Sequence, residues 1–393
     1  MAKAMRLHSE RRIRVNWNRG GASLLDFFVR ATMMGMDYLK RRHTLQKSLK
    51  ASKLDSLLVT HAANWHYLTG FTGESGALVV SAHGTTLITD GRFTVQAKQE
   101  ARGVRVQLQH GGLYWSVGEF LRRSRIKRVG FDAGQMTVAQ KKALQKATGG
   151  KCSWIEAPGM TERLRMRKDA AELVTMRKAA ILVGEVFDSV LKFVKPGVRE
   201  NELCAELEYQ MRKRGASGPS FPTIVAGGER SALPHARPTA RKLGKNELVV
   251  LDLGVILGHY CSDMTRTVHV GRAPRRIRKW YQAVLDAQEA AVAAAKAGTT
   301  CGAVDGAARE VLTKNGLEKY FVHSTGHGLG LEVHEDPRVA RGQAVRLEAG
   351  NVITIEPGVY VEGVGGIRIE DDVAIHADKN EVLTRVSRDL IEL

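Results

Sequence analysis

Two short stretches of the chain decide its fold: Val249-Val250-Leu251-Asp252-Leu253-Gly254-Val255 and Ile353-Thr354-Ile355-Glu356-Pro357-Gly358-Val359. Each is an apolar run of the kind that forms a buried β-strand, and each carries one carboxylate in place of an apolar residue. When the two runs are aligned, Asp252 falls on Glu356, 104 positions later. Because a buried carboxylate needs a partner, the pattern predicts two strands of like construction whose acids point to a shared centre.

The segments before these strands also repeat. A helix predicted over 168–194 is stopped at Gly197, and a second helix over 200–214 ends at Gly215, where glycine suits a left-handed cap. A helix over 275–295 is stopped at Gly298, and the next one ends at Gly316. The two glycine pairs have the same spacing of 18 residues. Chance similarity of short apolar runs does not account for matching stops and matching acids, so residues 164–393 are predicted to be one duplicated domain.

Residues 37–158 show a different pattern, in which short strand-like and helix-like segments alternate. Strands are predicted over 55–60, 77–81 and 85–89, and helices over 94–101, 115–125 and 137–148. This alternation is typical of a small α/β domain. The basic run over 122–128 is interpreted as a solvated helix end rather than a phosphate site.

The chain has 393 residues and a formal net charge of +19, of which residues 1–50 carry +9. Residues 1–36 are predicted to be a basic, disordered tail or an over-extended start, with an organelle presequence as the alternative. The four cysteines lie far apart, which argues against a disulfide scaffold and suits a reducing compartment. No apolar run reaches the roughly 18–20 residues that a membrane helix needs. A cytoplasmic location is therefore expected, with no membrane partner.

Four acidic residues and one histidine form the candidate metal site. They are Asp252, Asp263, His327, Glu356 and Glu370. Each acid alone is compatible with a salt bridge or an exposed face, but four acids on strands of a duplicated unit favour a metal. Two divalent cations would balance the four negative charges, and the oxygen-rich set favours Mn²⁺, with Co²⁺, Fe²⁺ and Zn²⁺ compatible.

Four further polar residues are candidates for handling substrate and protons. His235 and His334 are candidate hydrogen-bond donors to a substrate carbonyl or an oxyanion. His323 and Arg368 are candidates for orienting substrate and the acidic ligands. An ordinary structural role is the alternative for each.

At these residues the chain resembles the pita-bread metallopeptidases, and within them the Xaa-Pro aminopeptidase and Xaa-Pro dipeptidase branch. The resemblance covers residues 40–390. It rests on Arg368-Ile369-Glu370-Asp371, on Phe221-Pro222-Thr223-Ile224-Val225-Ala226 before His235, on Asn64-Trp65-His66-Tyr67-Leu68-Thr69-Gly70-Phe71-Thr72-Gly73 and on Asp90-Gly91-Arg92. The last two stretches are similar to the N-terminal domain of these enzymes, which a methionine aminopeptidase lacks.

The resemblance implies an α+β protein, with a creatinase-like α/β domain before a pita-bread catalytic domain that has an internal pseudo-twofold repeat. It implies all five metal ligands, with Glu356 also acting as general base and acid around a metal-bridging hydroxide. It further implies a homodimer that hydrolyses the bond before a proline at the second position of a peptide. Xaa-Pro aminopeptidase is the predicted activity and Xaa-Pro dipeptidase the alternative. A basic nucleic-acid-binding or protein-binding module is the competing class, which the complete ligand set argues against.

Overall fold

The computed structural model describes residues 35–393. Residues 1–34, which hold nearly all of the predicted basic tail over 1–36, lie outside these residues. Met36 is described, and its side chain packs against the apolar cluster around Leu173 and Tyr260.

The N-terminal part of the chain forms a six-stranded mixed sheet in the order β4-β3-β2-β1-β5-β6. Its strands are β1 Ser56–Val59, β2 Ala77–Ser81, β3 Gly84–Thr89, β4 Arg105–Leu108, β5 Arg128–Phe131 and β6 Ser153–Glu156. Its helices are α1 Tyr38–Ala51, α2 Ala62–Thr69, α3 Thr94–Glu100, α4 Leu113–Arg123 and α5 Val138–Thr148. The strands β1 and β2 are buried on both faces, which is why both read as continuous apolar runs. The predicted α/β pattern is confirmed.

Residues 157–169 form the linker to the duplicated part and contain a short helix, α6 Glu162–Arg165. The longer helices of the duplicated part are α7 Ala170–Val190, α8 Glu200–Lys213, α9 Arg275–Ala294 and α10 Cys301–Lys314. Its first strands are β7 Gly218–Pro219, β8 Ile224–Gly227, β9 Glu247–Leu253, β10 Val255–Leu257, β11 Tyr260–Cys261 and β12 Met264–Val270. The remaining strands are β13 Gly326–Gly328, β14 Glu335–Val339, β15 Val352–Ile355, β16 Gly358–Val361, β17 Gly365–Arg368, β18 Asp371–Ile375, β19 Asn380–Val382 and β20 Ile391–Glu392.

The predicted helix over 168–194 was too long at both ends. Asp169 caps α7 by accepting from the backbone N–H of Glu172, while the Glu172 side chain accepts from the Asp169 N–H. This capping box places residues 168 and 169 outside the helix. At the other end α7 changes into a single 3₁₀ turn, Leu191–Phe193.

The internal repeat is present in the hydrogen bonds as well as in the element order. The N–H of Gly197 donates to the Leu243 carbonyl at 2.8 Å, and the N–H of Gly298 donates to the Leu347 carbonyl at the same distance. Both glycines have positive φ, 90° and 89°, which favours glycine at these two stops. In each half the bond joins the turn between the two helices to the segment before the central strand, so the two halves are built alike.

Each half places one buried strand between two antiparallel neighbours. In the first half β9 lies between β8 and β12, and in the second half β15 lies between β13 and β18. The helices α7 and α8 cover the first sheet and α9 and α10 the second, each over its own apolar core. Among residues 35–393 no helix combines the length and the apolar composition that a bilayer crossing requires.

Candidate metal centre

The five predicted ligands meet where the two halves join. Asp252 lies on β9, Asp263 directly before β12, His327 on β13, Glu356 directly after β15 and Glu370 directly before β18. All five line one cleft of about 720 Å³. The duplication thus delivers a carboxylate from each central strand to one place, as the aligned runs predict.

Three of these residues form a compact group. One ligand atom each from Asp263, His327 and Glu370 lies within 4.8 Å of the others. The Nε2 atom of His327 lies 3.8 Å from Asp263 Oδ2 and 3.4 Å from Glu356 Oε1. These side chains are therefore close enough to share a cation.

The orientation of His327 suits a metal ligand. Its Nδ1 atom lies 3.0 Å from the carbonyl oxygen of Gly328, and because a carbonyl only accepts, Nδ1 carries the proton. The lone pair is then on Nε2, the atom that faces the carboxylates. Glycine flanks this histidine for steric reasons: a Cβ at Gly326 would collide with the Thr354 carbonyl, and one at Gly328 with the Asp336 carbonyl.

Neighbouring side chains hold the acids in place. The hydroxyl of Thr265 donates to Glu370 Oε2 at 2.6 Å, and Arg368 Nη2 donates to Asp252 Oδ2 at 2.6 Å. The other oxygen of Asp252, Oδ1, is buried and has no hydrogen-bond partner among the described residues. A buried carboxylate oxygen without a donor is what a bound cation would satisfy.

The electrostatics of the site point the same way. Burial, followed by the facing carboxylates, raises the pKa of Asp263 and of Glu370 well above the usual range of these acids. Burial also raises the pKa of Glu356, although His323 and Arg368 oppose that shift. Divalent cations would supply the positive charge that lets these groups stay ionised, so the donor set fits the predicted metals.

A chain of polar groups runs along one side of the site and includes a residue that the sequence analysis missed. Arg368 Nη1 donates to the Tyr360 hydroxyl at 2.6 Å, which in turn lies 2.9 Å from His323 Nε2. The His323 Nδ1 donates to the Ser324 carbonyl, so Nε2 accepts from Tyr360. Burial raises the pKa of Tyr360 to about 12, which keeps this hydroxyl protonated as a donor.

The remaining predicted residues, His235 and His334, lie exposed on the cleft wall. The ring of His334 lies 4.5 Å from that of His327, centroid to centroid. Arg368 Nη1 also donates to the carbonyl of Pro234 at 3.2 Å, which anchors the loop next to His235. All predicted site residues therefore face one cleft. The N-terminal domain and the linker add Gln135, Glu162 and Arg165 to its lining, which the sequence analysis did not predict.

Two protein families match consecutive parts of the chain. Residues 174–377 match metallopeptidase family M24, and residues 41–167 match the creatinase/prolidase N-terminal domain. The chain belongs to metallopeptidase family M24. The predictions of a pita-bread metallopeptidase and of a creatinase-like domain before it are confirmed.

Several proteins are similar over almost the whole described chain. An uncharacterised peptidase of Bacillus subtilis is 39% identical over 341 residues, covering 86% of this chain and 96% of its own length. The structure of an Xaa-Pro dipeptidase from Bacillus anthracis is 36% identical with a TM-score of 0.88, covering 91% of this chain and 100% of that one. The structure of an X-Pro aminopeptidase from Thermotoga maritima is 34% identical with a TM-score of 0.82, covering 88% and 100%. The chain is therefore an M24 hydrolase close to proline peptidases of both kinds.

Proposed function

We propose that this protein is an Xaa-Pro aminopeptidase that uses two divalent metal ions, with Mn²⁺ preferred. The ligands would be the five residues that converge on the cleft, Asp252, Asp263, His327, Glu356 and Glu370. The observation that supports this most is the set itself: four carboxylates and one correctly oriented imidazole line one cleft, and Asp263, His327 and Glu370 each place a ligand atom within 4.8 Å of the others. A homodimer and a cytoplasmic location stay predictions.

When bound, two such ions polarise the substrate carbonyl and lower the pKa of water, so that a nucleophile exists at neutral pH. The protein's own groups then move the protons. Glu356 accepts the proton of the attacking water and passes it to the nitrogen that leaves. The Thr354 hydroxyl lies 3.4 Å from Glu356 Oε1 and also accepts from the backbone N–H of His327, so it contacts both residues.

His235 and His334 are proposed to donate to the oxygen of the substrate carbonyl as negative charge develops on it. Both line the cleft from loops, and neither is buried in the protein core. A donor of this kind contributes roughly 10²–10³-fold to kcat in acyl-transfer enzymes. Arg368 and Tyr360 position His323, the loop of His235 and Asp252.

The choice between aminopeptidase and dipeptidase depends on what recognises the far end of the peptide. Two of the arginines in the cleft lining, Arg165 and Arg368, are paired with carboxylates. The other two, Arg237 and Arg338, are exposed, and Arg338 lies on β14, four residues after His334. The Arg338 guanidinium could bind the free carboxylate of a dipeptide, which would favour dipeptidase activity.

The test is a substrate-length series on the metal-reconstituted protein. For the proposed aminopeptidase, kcat/KM should be at least as high for Xaa-Pro-Yaa tripeptides and longer peptides as for the Xaa-Pro dipeptide. Arg338→Ala should then leave the longer substrates nearly unaffected. The protein would instead be a dipeptidase if it cleaved the dipeptide alone and if Arg338→Ala raised the KM for that dipeptide by roughly 10-fold or more.

A further inference from the structure

The loop that carries His334 is held by a buried arginine from the linker between the domains. Arg165 is only 2% exposed. Its Nη2 atom donates to Glu332 Oε2 at 2.7 Å and to Glu335 Oε1 at 2.6 Å. His334 is thus enclosed in sequence by two glutamates that bind the same guanidinium group.

Other groups complete this clamp. Lys168 Nζ lies 3.1 Å from Glu335 Oε2, so the second glutamate binds two cations of the linker. Glu335 Oε1 also accepts from the backbone N–H of Glu332 at 3.1 Å, which closes the loop on itself. Residues 331–334 belong to no strand, so the side chains of the clamp take the place of a backbone ladder here.

The N-terminal domain contributes to the same cluster. Arg165 Nη1 donates to Asn64 Oδ1 at 2.7 Å, and Asn64 lies on α2. The His61 Nε2 atom, at the start of that helix, lies 3.3 Å from Glu332 Oε1. The position of α2 is therefore linked through Arg165 to the loop that carries His334.

We propose that Arg165 is a positioning residue that sets the place of His334 in the cleft and couples it to the N-terminal domain. This rests on the proposed function, because it takes His334 as the oxyanion donor. The physical reason is that a buried guanidinium must keep its carboxylate partners. Glu335, whose side chain is 6% exposed, therefore stays with Arg165 and Lys168. Glu332, which is 39% exposed, binds the same guanidinium group on the other side of His334. Val333 and His334, between the two glutamates, are thereby held in the cleft lining.

A double-mutant cycle with the metal-loaded enzyme tests this. Arg165→Met should lower kcat for Xaa-Pro-Yaa by about 10–100-fold with KM changed less than about 3-fold, because a displaced donor loses transition-state contacts. In the His334→Ala background the same change should cost less than about 2-fold, since the residue it positions is gone. Arg165→Lys, which can still reach one glutamate, should give an intermediate loss. Arg167→Met is the matched control, because Arg167 lies two residues away and is 65% exposed in its ion pair with Glu348.

Two further measurements separate the possible failures. Hydrogen–deuterium exchange over residues 329–338 should accelerate in Arg165→Met and not in Arg167→Met, independently of activity. If Arg165→Met does not fold, Glu332→Gln removes one arm of the clamp, and its loss of activity should likewise vanish with His334→Ala. Equal losses in both backgrounds, or unchanged exchange in the loop, would overturn the positioning role. Full activity of His334→Ala itself would instead refute the donor role given above.

Discussion

Arg368, at the end of β17, and Asp252, on β9, form a buried ion pair, with Arg368 Nη2 donating to Asp252 Oδ2 at 2.6 Å. The same guanidinium donates through Nε to the Thr265 hydroxyl at 2.9 Å, and that hydroxyl donates to Glu370. One arginine thus orients an acid from the first half of the repeat and supports an acid from the second. Its planar fork is suited to this, because several N–H groups point in fixed directions.

Arg368→Lys is therefore expected to lower kcat about 100-fold, because a single ammonium cannot reproduce the separate bonds to Asp252, Tyr360 and Thr265. Steady-state kinetics with saturating Mn²⁺ measure this. Arg341→Lys serves as control, since Arg341 is 74% exposed and pairs with Glu318 on the surface. A variant with wild-type kcat would show that the charge alone matters and not the geometry.

Tyr360→Phe is expected to lower kcat about 10-fold while changing the melting temperature by only a few degrees. The hydroxyl joins Arg368 to His323, and its removal leaves a buried imidazole acceptor without its donor, at a cost of about 1–3 kcal/mol. Matched kinetics and thermal unfolding of Tyr360→Phe and of a control, Tyr209→Phe, check this, because Tyr209 is 56% exposed. Equal behaviour of the two variants would contradict it.

The contrast between Asp252 and Tyr360 shows what the sequence could and could not reveal. A carboxylate in an otherwise apolar run of sequence is anomalous, so Asp252 and Glu356 could be identified from local sequence alone. A tyrosine in a strand is ordinary. The role of Tyr360 follows only from hairpin register, in which Gly358 pairs with Arg368 and Tyr360 with Gly366, so that ring and guanidinium share one face.

Arg165 illustrates a second limit. Its partner Glu335 lies 170 residues further along the chain, and nothing in the local sequence distinguishes Arg165 from the neighbouring exposed arginines. The capping box of Asp169 and Glu172, by contrast, was visible in the sequence and would have corrected the start of α7. Ion pairs and hydrogen bonds that form only when two domains pack together could not be predicted from the sequence alone.

Asp263→Asn should abolish peptidase activity, and added Mn²⁺ should not rescue it. For the wild type, Mn²⁺ at about 1,000 times its Kd should stabilise the fold by about 4 kcal/mol, and in the variant this gain should be largely lost. Without metal the variant should be no less stable than the wild type, because one of several facing negative charges is removed. Thermal unfolding with and without Mn²⁺, and Asp188→Asn as an exposed control on α7, test the prediction. Undiminished activity of the metal-free wild type would refute the metal assignment.

Glu172 predicts a specific pH dependence of stability. It is buried between Arg41, 3.1 Å away, and the Tyr260 hydroxyl at 2.8 Å. Burial raises its pKa from 4.5 to about 7, against the opposing charge of Arg41. The folded state therefore holds this proton more tightly than the unfolded state, so the contribution of Glu172 to stability is complete below about pH 4.5 and is lost as the pH rises through about 7.

Glu172→Gln removes this dependence. The free energy of unfolding of the wild type, relative to the variant, should fall by up to about 3 kcal/mol between pH 4.5 and pH 8. Urea unfolding at several pH values measures the difference, with Glu185→Gln, exposed on the same helix, as control. A difference that grows with pH would mean that the ion pair with Arg41 outweighs burial.

Proline itself gives the last prediction. An Xaa-Pro bond has no N–H on its nitrogen, and the ring fixes φ, so a site specific for it must rely on shape and on donors directed at the carbonyl. The cleft lining includes the apolar side chains of Phe221, Pro222 and Ile224 as well as the exposed donors His235 and His334. We expect kcat/KM for Xaa-Pro-Yaa to exceed that for Xaa-Ala-Yaa by at least about 100-fold. The proline ring can pack against these apolar side chains, and the proline nitrogen has no N–H whose hydrogen bond would be lost. N-acetylated peptides should resist cleavage, since a free amino group is needed beside the acidic cluster. The trans isomer should react first, leaving a slow phase of tens to hundreds of seconds at high enzyme concentration. Equal rates on the proline and alanine peptides, or a preference for N-terminal methionine before a small residue, would assign the protein to another branch of the family.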